Sequence, residues 1–185
     1  QKTYTEWART TTVAERAALA QRLAELFDER KDELGEIINR EMGKPLEQAV
    51  GEAEFSGAIV KAFADNAEKW LADEEIEVED GLRSFVRHQG LGVILGIMPW
   101  NYPYYQVARF AAPNIILGNT VILKHASQCP ESALALEQLF LDAGFPEGAY
   151  VNVFASHDQL STMIADDRVQ GVSLTGSERA GAIVA

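Results

Sequence analysis

Cysteine is almost absent from this 185-residue sequence: Cys129 is the only one. That excludes an intrachain disulfide and fits a reducing, cytoplasmic setting. No stretch approaches the roughly 20 consecutive apolar residues that a membrane span needs. The first residues, Gln1 to Glu6, lack the apolar segment of a signal peptide, and they lack Met, which implies a start that lies upstream or was removed. Positive charge is scarce too, with 16 Lys+Arg against 28 Asp+Glu for a net charge of −12. The deficit is uneven. Residues 1–80 carry 10 basic and 20 acidic side chains, and residues 81–185 carry 6 and 8. The acidic part repels phosphate backbones, which argues against nucleic acid as a partner, whereas the near-neutral part can host an anionic ligand. No internal repeat, low-complexity segment or metal-ligand pattern is found. What is present, 47% apolar and 24% charged residues, is ordinary for a folded domain.

The first third reads as helical. Thr12-Val13-Ala14-Glu15 has the form of a capping box. Leu19, Leu23, Leu26 and Phe27 then fall on one helical face. Ile37, Ile38 and Met42 continue on a second helix, Gly43-Lys44-Pro45 interrupts, and Leu46, Val50, Ile59, Phe63 and Trp70 predict a long third one. The period then changes. Glu75 to Glu79 alternates polar and apolar as a one-face-exposed strand does, Asp80-Gly81 signals a turn, and Leu82 to His88 reads as the returning strand. This hairpin has little apolar surface of its own, so it is expected to pair with another chain or another segment. From residue 91 short apolar runs at Gly92–Ile97, Thr120–Leu123, Tyr150–Phe154 and Val169–Leu174 alternate with helical segments near Tyr104–Leu117, Glu131–Ala143 and Asp158–Ala165. Buried-looking strands alternating with helices imply a parallel α/β sheet covered on both faces. Such sheets bind nucleotides at the carboxyl ends of their strands. Thr175-Gly176-Ser177 reads as a further strand-to-helix turn, and the last helix has no C-cap signal before Ala185.

Three motifs sit at such strand ends. Met98-Pro99-Trp100-Asn101 follows the first strand of the α/β part; Asn101 offers an amide donor suited to a developing oxyanion, or caps the loop after Pro99. Lys124-His125-Ala126-Ser127 follows the next strand, where a Lys can reach ribose hydroxyls or a phosphate, or simply be solvated; for His125 a plain loop histidine is one reading. Thr175-Gly176-Ser177 lacks the second glycine of G-x-G-x-x-G. Gly176 nevertheless permits close backbone approach, and the helix start offers free N–H groups. Its structural alternative is a helix N-cap at Ser177 or Thr175.

Taken in this order, PWN, then G-N-T-V-I-L-K, A-G-F-P-E-G and T-G-S, together with Glu41-Met42-Gly43-Lys44-Pro45 in the front third, the sequence resembles the aldehyde dehydrogenase superfamily along nearly its whole length. IMPWNYP, LKHAS and TGSERAG are most similar to bacterial succinate-semialdehyde dehydrogenases. The resemblance implies helices and a hairpin followed by a Rossmann-like sheet. Residues 1–73 would form the helical part of a cofactor domain and 74–90 an oligomerisation arm. Residues 91–185 would form incomplete NAD(P)-binding βα units, the catalytic domain being absent from this chain.

The resemblance also implies roles. Asn101 would donate to the oxyanion, and Met98, Pro99, Trp100 and Asn101 itself would lie beside the cofactor. Lys124, with His125 and Ala126 next to it, would bind the adenosine ribose or its phosphate, and Gly176 and Ser177 would bind pyrophosphate. Ser127 stands where many NAD-preferring members carry Glu, which favours NADP over NAD as cofactor. Val153-Phe154-Ala155-Ser156 departs from the family's glycine-rich turn. The nucleophilic Cys and the general-base Glu of the family are expected beyond the matched region. Cys129 precedes Pro130 at a helix start, where a thiol pKa can fall, but it has the wrong place in the chain; a packed or capping cysteine is expected. The implied activity is oxidation of an aldehyde, succinate semialdehyde in the narrower resemblance, to the acid through a cysteine thioester, by a homo-oligomer (dimer or tetramer) with no membrane partner. This chain alone is expected to be inactive. Acyl transfer to coenzyme A or phosphate, or a non-catalytic nucleotide-binding or assembly role, are the alternatives.

Overall fold

The structure is a computed structural model that describes residues 1–79 and 81–185. The helical third holds α1 (Lys2–Thr10), α2 (Val13–Glu29), α3 (Lys31–Met42) and α4 (Leu46–Trp70). The capping box forms as read: Thr12 Oγ1 accepts from the Glu15 N–H at 3.2 Å, and the Glu15 carboxylate accepts from the Thr12 N–H at 2.7 Å. Leu23, Leu26 and Phe27 are buried on α2. α1 is not anticipated by periodicity. It is held from across the chain by Trp7, which is buried with its ring 5.8 Å from that of Phe145, and by hydrogen bonds from the Tyr4 hydroxyl to the Gly90 carbonyl at 2.9 Å and from the Thr3 hydroxyl to the Glu147 carbonyl at 3.1 Å. On α4 the buried stripe is made of small residues, among them Ala49, Ala53, Ser56, Val60 and Ala64. Leu46 and Trp70, expected on the apolar face, are exposed instead. Small side chains let α4 lie close against α2 and α3, and the bulky residues at its ends fall outside that contact.

The hairpin comprises β1 (Glu74–Ile76) and β2 (Ser84–Val86), antiparallel with Glu75 opposite Phe85. Asp80 of the expected turn lies outside the described residues; Gly81 has φ +67°. The expectation of little apolar surface does not hold, because Ile76, Leu82, Phe85 and Val86 are all exposed.

The α/β part runs β3 (Val93–Met98), α5 (Tyr105–Leu117), β4 (Thr120–His125), α6 (Pro130–Asp142), β5 (Tyr150–Asn152), α7 (His157–Ile164), β6 (Val169–Leu174) and α8 (Glu178–Val184). The sheet is parallel in the order β5-β4-β3-β6. The chain moves outward from β3 to β4 to β5, then returns to the far side of β3 as β6. By the right-handed crossover rule, α5 and α6 fall on one face and α7 on the other. The reversal of direction is at β3, and the crevice for a ligand opens there, at the strand carboxyl ends. Gly96 lets α5 sit tightly on β3: a Cβ there would lie 2.3 Å from the Phe110 ring. β3 and β4 are largely buried, as expected of central parallel strands. β6 is not; its residues are half-buried or exposed. β5 stops at Asn152, and Phe154, expected to extend it, is exposed.

Candidate active and nucleotide site

The sheet brings the three motifs to one edge. Met98 ends β3, buried and in register with His125 at the end of β4. The segment after β6 joins them, since the Thr175 N–H donates to the Ile97 carbonyl at 3.0 Å. Lys124 and His125 are thus the last residues of β4 rather than part of the following loop. Trp100 and Asn101 are exposed in the turn after β3, and Pro99 is half-buried.

That turn is braced at successive carbonyls. The Trp100 carbonyl faces the Cys129 thiol at 3.8 Å. The Asn101 carbonyl accepts from Lys44 Nζ at 2.9 Å. The Pro103 carbonyl lies 3.0 Å from His125 Nε2. The turn then enters α5, where Glu52 Oε1 accepts from the N–H groups of Tyr104 at 2.9 Å and Tyr105 at 3.3 Å. A carboxylate at a helix N-terminus satisfies orphan donors and complements the helix dipole.

His125 is therefore not a plain loop histidine. It is buried, and burial lowers its pKa. The neutral ring, with its proton on Nε2, donates to Pro103, while Nδ1 accepts from the Ala126 N–H at 2.8 Å. Cys129 is also corrected in one respect. It does stand at the N-cap of α6, but its thiol pKa is not lowered. Burial, then the carboxylates Glu41 and Glu52, push it up to about 12. A thiol so placed is held in its protonated, less reactive form.

On the other side of the crevice, Lys124 and Ser177 line one cavity of about 170 Å³, with Ile97 at its floor and Leu160, Ile164 and Ile183 of α7 and α8 as apolar walls. Ser177 is the N-cap of α8, its Oγ accepting from the Ala180 N–H at 3.2 Å. Gly176 is exposed. A Cβ on it would meet only the Ala180 Cβ at 3.6 Å, and its backbone is outside the left-handed region. Nothing within the chain requires glycine there, so the space over it is left for an outside group. The neighbouring cavity offers a lysine and a hydroxyl beside apolar walls, donors suited to a phosphate or ribose group. Ala126 and Ser127 continue from β4 on the surface.

Sequence reasoning assigned no role to Lys44, Glu52 or Glu41. Glu52 had a signal: it falls on the buried small-residue stripe of α4, next to Ala49 and Ala53, where an unpaired carboxylate is costly. Glu41 accepts from the Ser132 N–H at 3.0 Å and the Ser132 hydroxyl at 2.6 Å, capping α6 from a distance no local pattern reveals. A second groove, of about 580 Å³, opens beside the Asn101 turn between Lys44, Gln48, Gly51, Phe55, Tyr102 and Tyr105. The Phe55 and Tyr105 rings stack along it at 5.4 Å. Among the described residues no cluster of His, Cys, Asp and Glu could hold a metal ion, and no helix is long and apolar enough to cross a membrane.

Comparison with known proteins agrees with this arrangement. Residues 1–185 match the profile described as Aldehyde dehydrogenase family. The NADP(+) succinate-semialdehyde dehydrogenase of Deinococcus radiodurans is 54% identical over 98% of this chain and 38% of its own length. The enzyme of the same name from Mycobacterium avium is 40% identical over 98% of this chain and 39% of its own. The solved succinic semialdehyde dehydrogenase of Streptococcus pyogenes, in complex with NADP+, superimposes with a TM-score of 0.94 at 42% identity, covering 98% of this chain and 40% of that one. The chain thus spans about two fifths of the length of these relatives. With its sheet, its strand-end motifs and its whole length matched, the chain belongs to the aldehyde dehydrogenase family.

Proposed function

We propose that the full-length protein oxidises succinate semialdehyde to the acid with NADP, and less readily with NAD. One observation carries the reading: an exposed asparagine turn and a lysine–serine cavity open at the carboxyl ends of adjacent strands, where the chain direction reverses. In this reading Lys124 reaches the adenosine ribose or its phosphate, and Gly176 and Ser177 admit the pyrophosphate. His125 and Ala126 hold the end of β4 beside them. Met98, Pro99 and Trp100 lie beside the cofactor. Ser127 adds no negative charge, so a 2′-phosphate meets Lys124 without repulsion. The nicotinamide, when bound, accepts the hydride. The Asn101 amide donates to the oxygen that becomes an oxyanion when a thiolate adds to the aldehyde. That thiolate and the base that activates water are assigned to segments other than this chain, because Cys129 is buried with a raised pKa.

Succinate semialdehyde also carries a carboxylate. Arg109 is an exposed cation on α5, donating to Thr175 Oγ1 at 3.1 Å and lying 5.6 Å from the Tyr105 ring of the aromatic groove. It is the group we assign to that carboxylate. The exposed apolar side chains of the hairpin support its role as an oligomerisation arm.

The test is Asn101→Ala in the full-length protein. An oxyanion donor predicts a fall in kcat/KM of about 10²–10³ with NADP affinity unchanged. A lowered melting temperature with intact kcat/KM would remove Asn101 from catalysis. Arg109→Gln is expected to raise KM for succinate semialdehyde and to leave an uncharged aldehyde of similar length unaffected.

A further inference from the structure

The family motif around Lys44 finds no use in the scheme above, yet its side chain ends at the Asn101 turn. α3 closes at Gly43, whose φ of +72° turns the chain sharply. The Lys44 carbonyl is fixed by the Asn39 side chain at 2.8 Å. From there the Lys44 ammonium reaches three groups. It pairs with Glu52 Oε2, donates to the Asn101 carbonyl at 2.9 Å, and lies 3.9 Å from the centre of the Tyr102 ring. The other oxygen of Glu52 holds the Tyr104 and Tyr105 N–H groups. One buried ion pair therefore grips the turn at both ends, at the carbonyl of Asn101 and at the first N–H groups of α5. The two side chains are only 9% and 2% exposed.

An apolar pair of the same volume would match the packing, since buried ion pairs by themselves gain little net stability over packed hydrophobic residues, although it would leave the Tyr104 and Tyr105 N–H groups without Glu52. It could not fix the plane of the Asn101 peptide. The direction of the Asn101 amide follows from that plane, and a misplacement of about 1 Å in a catalytic group can cost on the order of 10²-fold in rate. We propose that Lys44 and Glu52 are positioning residues for Asn101, setting its backbone so that its side-chain amide meets the oxyanion. This rests on the proposed role of Asn101 itself.

The experiment is a cycle in full-length protein, with succinate semialdehyde and NADP as substrates. Lys44→Met leaves Glu52 buried without a partner and can fail to fold, so the working variant is Lys44→Met combined with Glu52→Gln, which buries no lone charge. Expected is a kcat lower by about 10–100-fold, with the dissociation constant for NADP within about two-fold. Added to Asn101→Ala, the same pair of substitutions should cost almost nothing more, because residues acting as a unit are not additive. A normal kcat in the paired variant, with or without a lowered melting temperature, overturns the inference. So do losses that multiply with that of Asn101→Ala, which would mean that Lys44 and Glu52 act elsewhere. If Asn101→Ala alone leaves kcat intact, the proposed role of Asn101 falls and this inference with it. A slow Asn101→Ala beside a fast paired variant refutes the positioning role alone.

Discussion

Gly176 offers a perturbation whose effects on folding and on binding the structure separates. A Cβ at this position meets only the Ala180 Cβ, at 3.6 Å, an ordinary contact. Gly→Ala at a compatible backbone position typically stabilises by about 0.4–1 kcal/mol, by restricting the unfolded chain. For the folded protein, Gly176→Ala is therefore expected to leave the melting temperature unchanged or raise it by about 1–4 °C. Gly176→Val keeps the same open surroundings and adds two methyl groups over the start of α8. If a pyrophosphate lies there, those methyls push it away from the Ser177 hydroxyl and the Lys124 ammonium. Hydrogen bonds to a charged group contribute about 1.5–3 kcal/mol each. Losing or lengthening one predicts NADP binding weaker by roughly 10–100-fold for Gly176→Val, and less for Gly176→Ala. Titration of full-length protein with NADP, beside thermal unfolding without cofactor, reads both quantities on one preparation. Unchanged NADP affinity in a well-folded Gly176→Val protein would refute the pyrophosphate assignment. A large loss of stability would refute the claim that nothing in the chain needs glycine there.

Four other outcomes are expected. Ser127→Glu should shift the NADP/NAD ratio of kcat/KM toward NAD by about 10–100-fold, some 1.4–2.7 kcal/mol; steady-state kinetics with both cofactors checks it. The 185-residue chain alone should form no reduced cofactor with succinate semialdehyde, and Cys129→Ala in full-length protein should keep its kcat; turnover by the chain that vanishes on Cys129→Ala would overturn the reading of that thiol. Because burial lowers the His125 pKa, the unfolded chain binds the proton more readily than the folded one, so this contribution is complete above roughly pH 6.5 and is lost as pH falls below it, by at most about 1.4 kcal/mol per pH unit. Denaturant unfolding between pH 7 and 5 should show a drop that is smaller in His125→Gln. Leu82→Lys in the exposed hairpin should lower the oligomeric state of full-length protein in sedimentation, and an unchanged assembly would remove the hairpin from the interface.

The parts of the fold that were legible in the sequence are those written in local chemistry. The Thr12 capping box, the α2 stripe of Leu23, Leu26 and Phe27, and the alternation of strands and helices after residue 91 each follow from neighbours a few residues apart, and each appears where expected. The misses have a common cause, tertiary context. α1 depends on Trp7 meeting Phe145 across the chain. The face of α4 is decided by how closely α2 approaches, which selects alanines over Leu46 and Trp70. The site divides in the same way. Asn101, Lys124, Gly176 and Ser177 stand at strand ends, where local pattern alone left a structural alternative open for each and the family resemblance of the ordered motifs supplied their roles. Lys44, Glu52 and His125 contact the same site through bonds that cross many residues of sequence. Cys129 shows how misleading a local rule can be: a helix N-terminus lowers a thiol pKa only when the thiol is not also buried beside carboxylates.

The long-range bonds also explain why the helical third and the sheet belong to one folding unit. α5 is the helix that carries the Asn101 turn at its start, and both of its ends are satisfied by side chains from the helical third. At its N-terminus Glu52 accepts from Tyr104 and Tyr105. At its C-terminus buried Arg16 donates to the Ile116 carbonyl at 2.7 Å and to the Leu117 carbonyl at 3.4 Å. α6 repeats the arrangement at its start, with Glu41 on Ser132. Cutting the chain between α4 and β3 would leave these orphan helix groups without partners and would uncover the faces of α5 and α6 that the helical third now covers. Each buried group left unpaired costs about 1–3 kcal/mol, and several at once are comparable with the whole stability of a domain. Residues 91–185 alone are therefore expected to be expanded or aggregated. Circular dichroism and hydrogen exchange would show it: native-like protection of α5 amides in that fragment would mean that the helical third is an accessory and not half of the framework that holds the site.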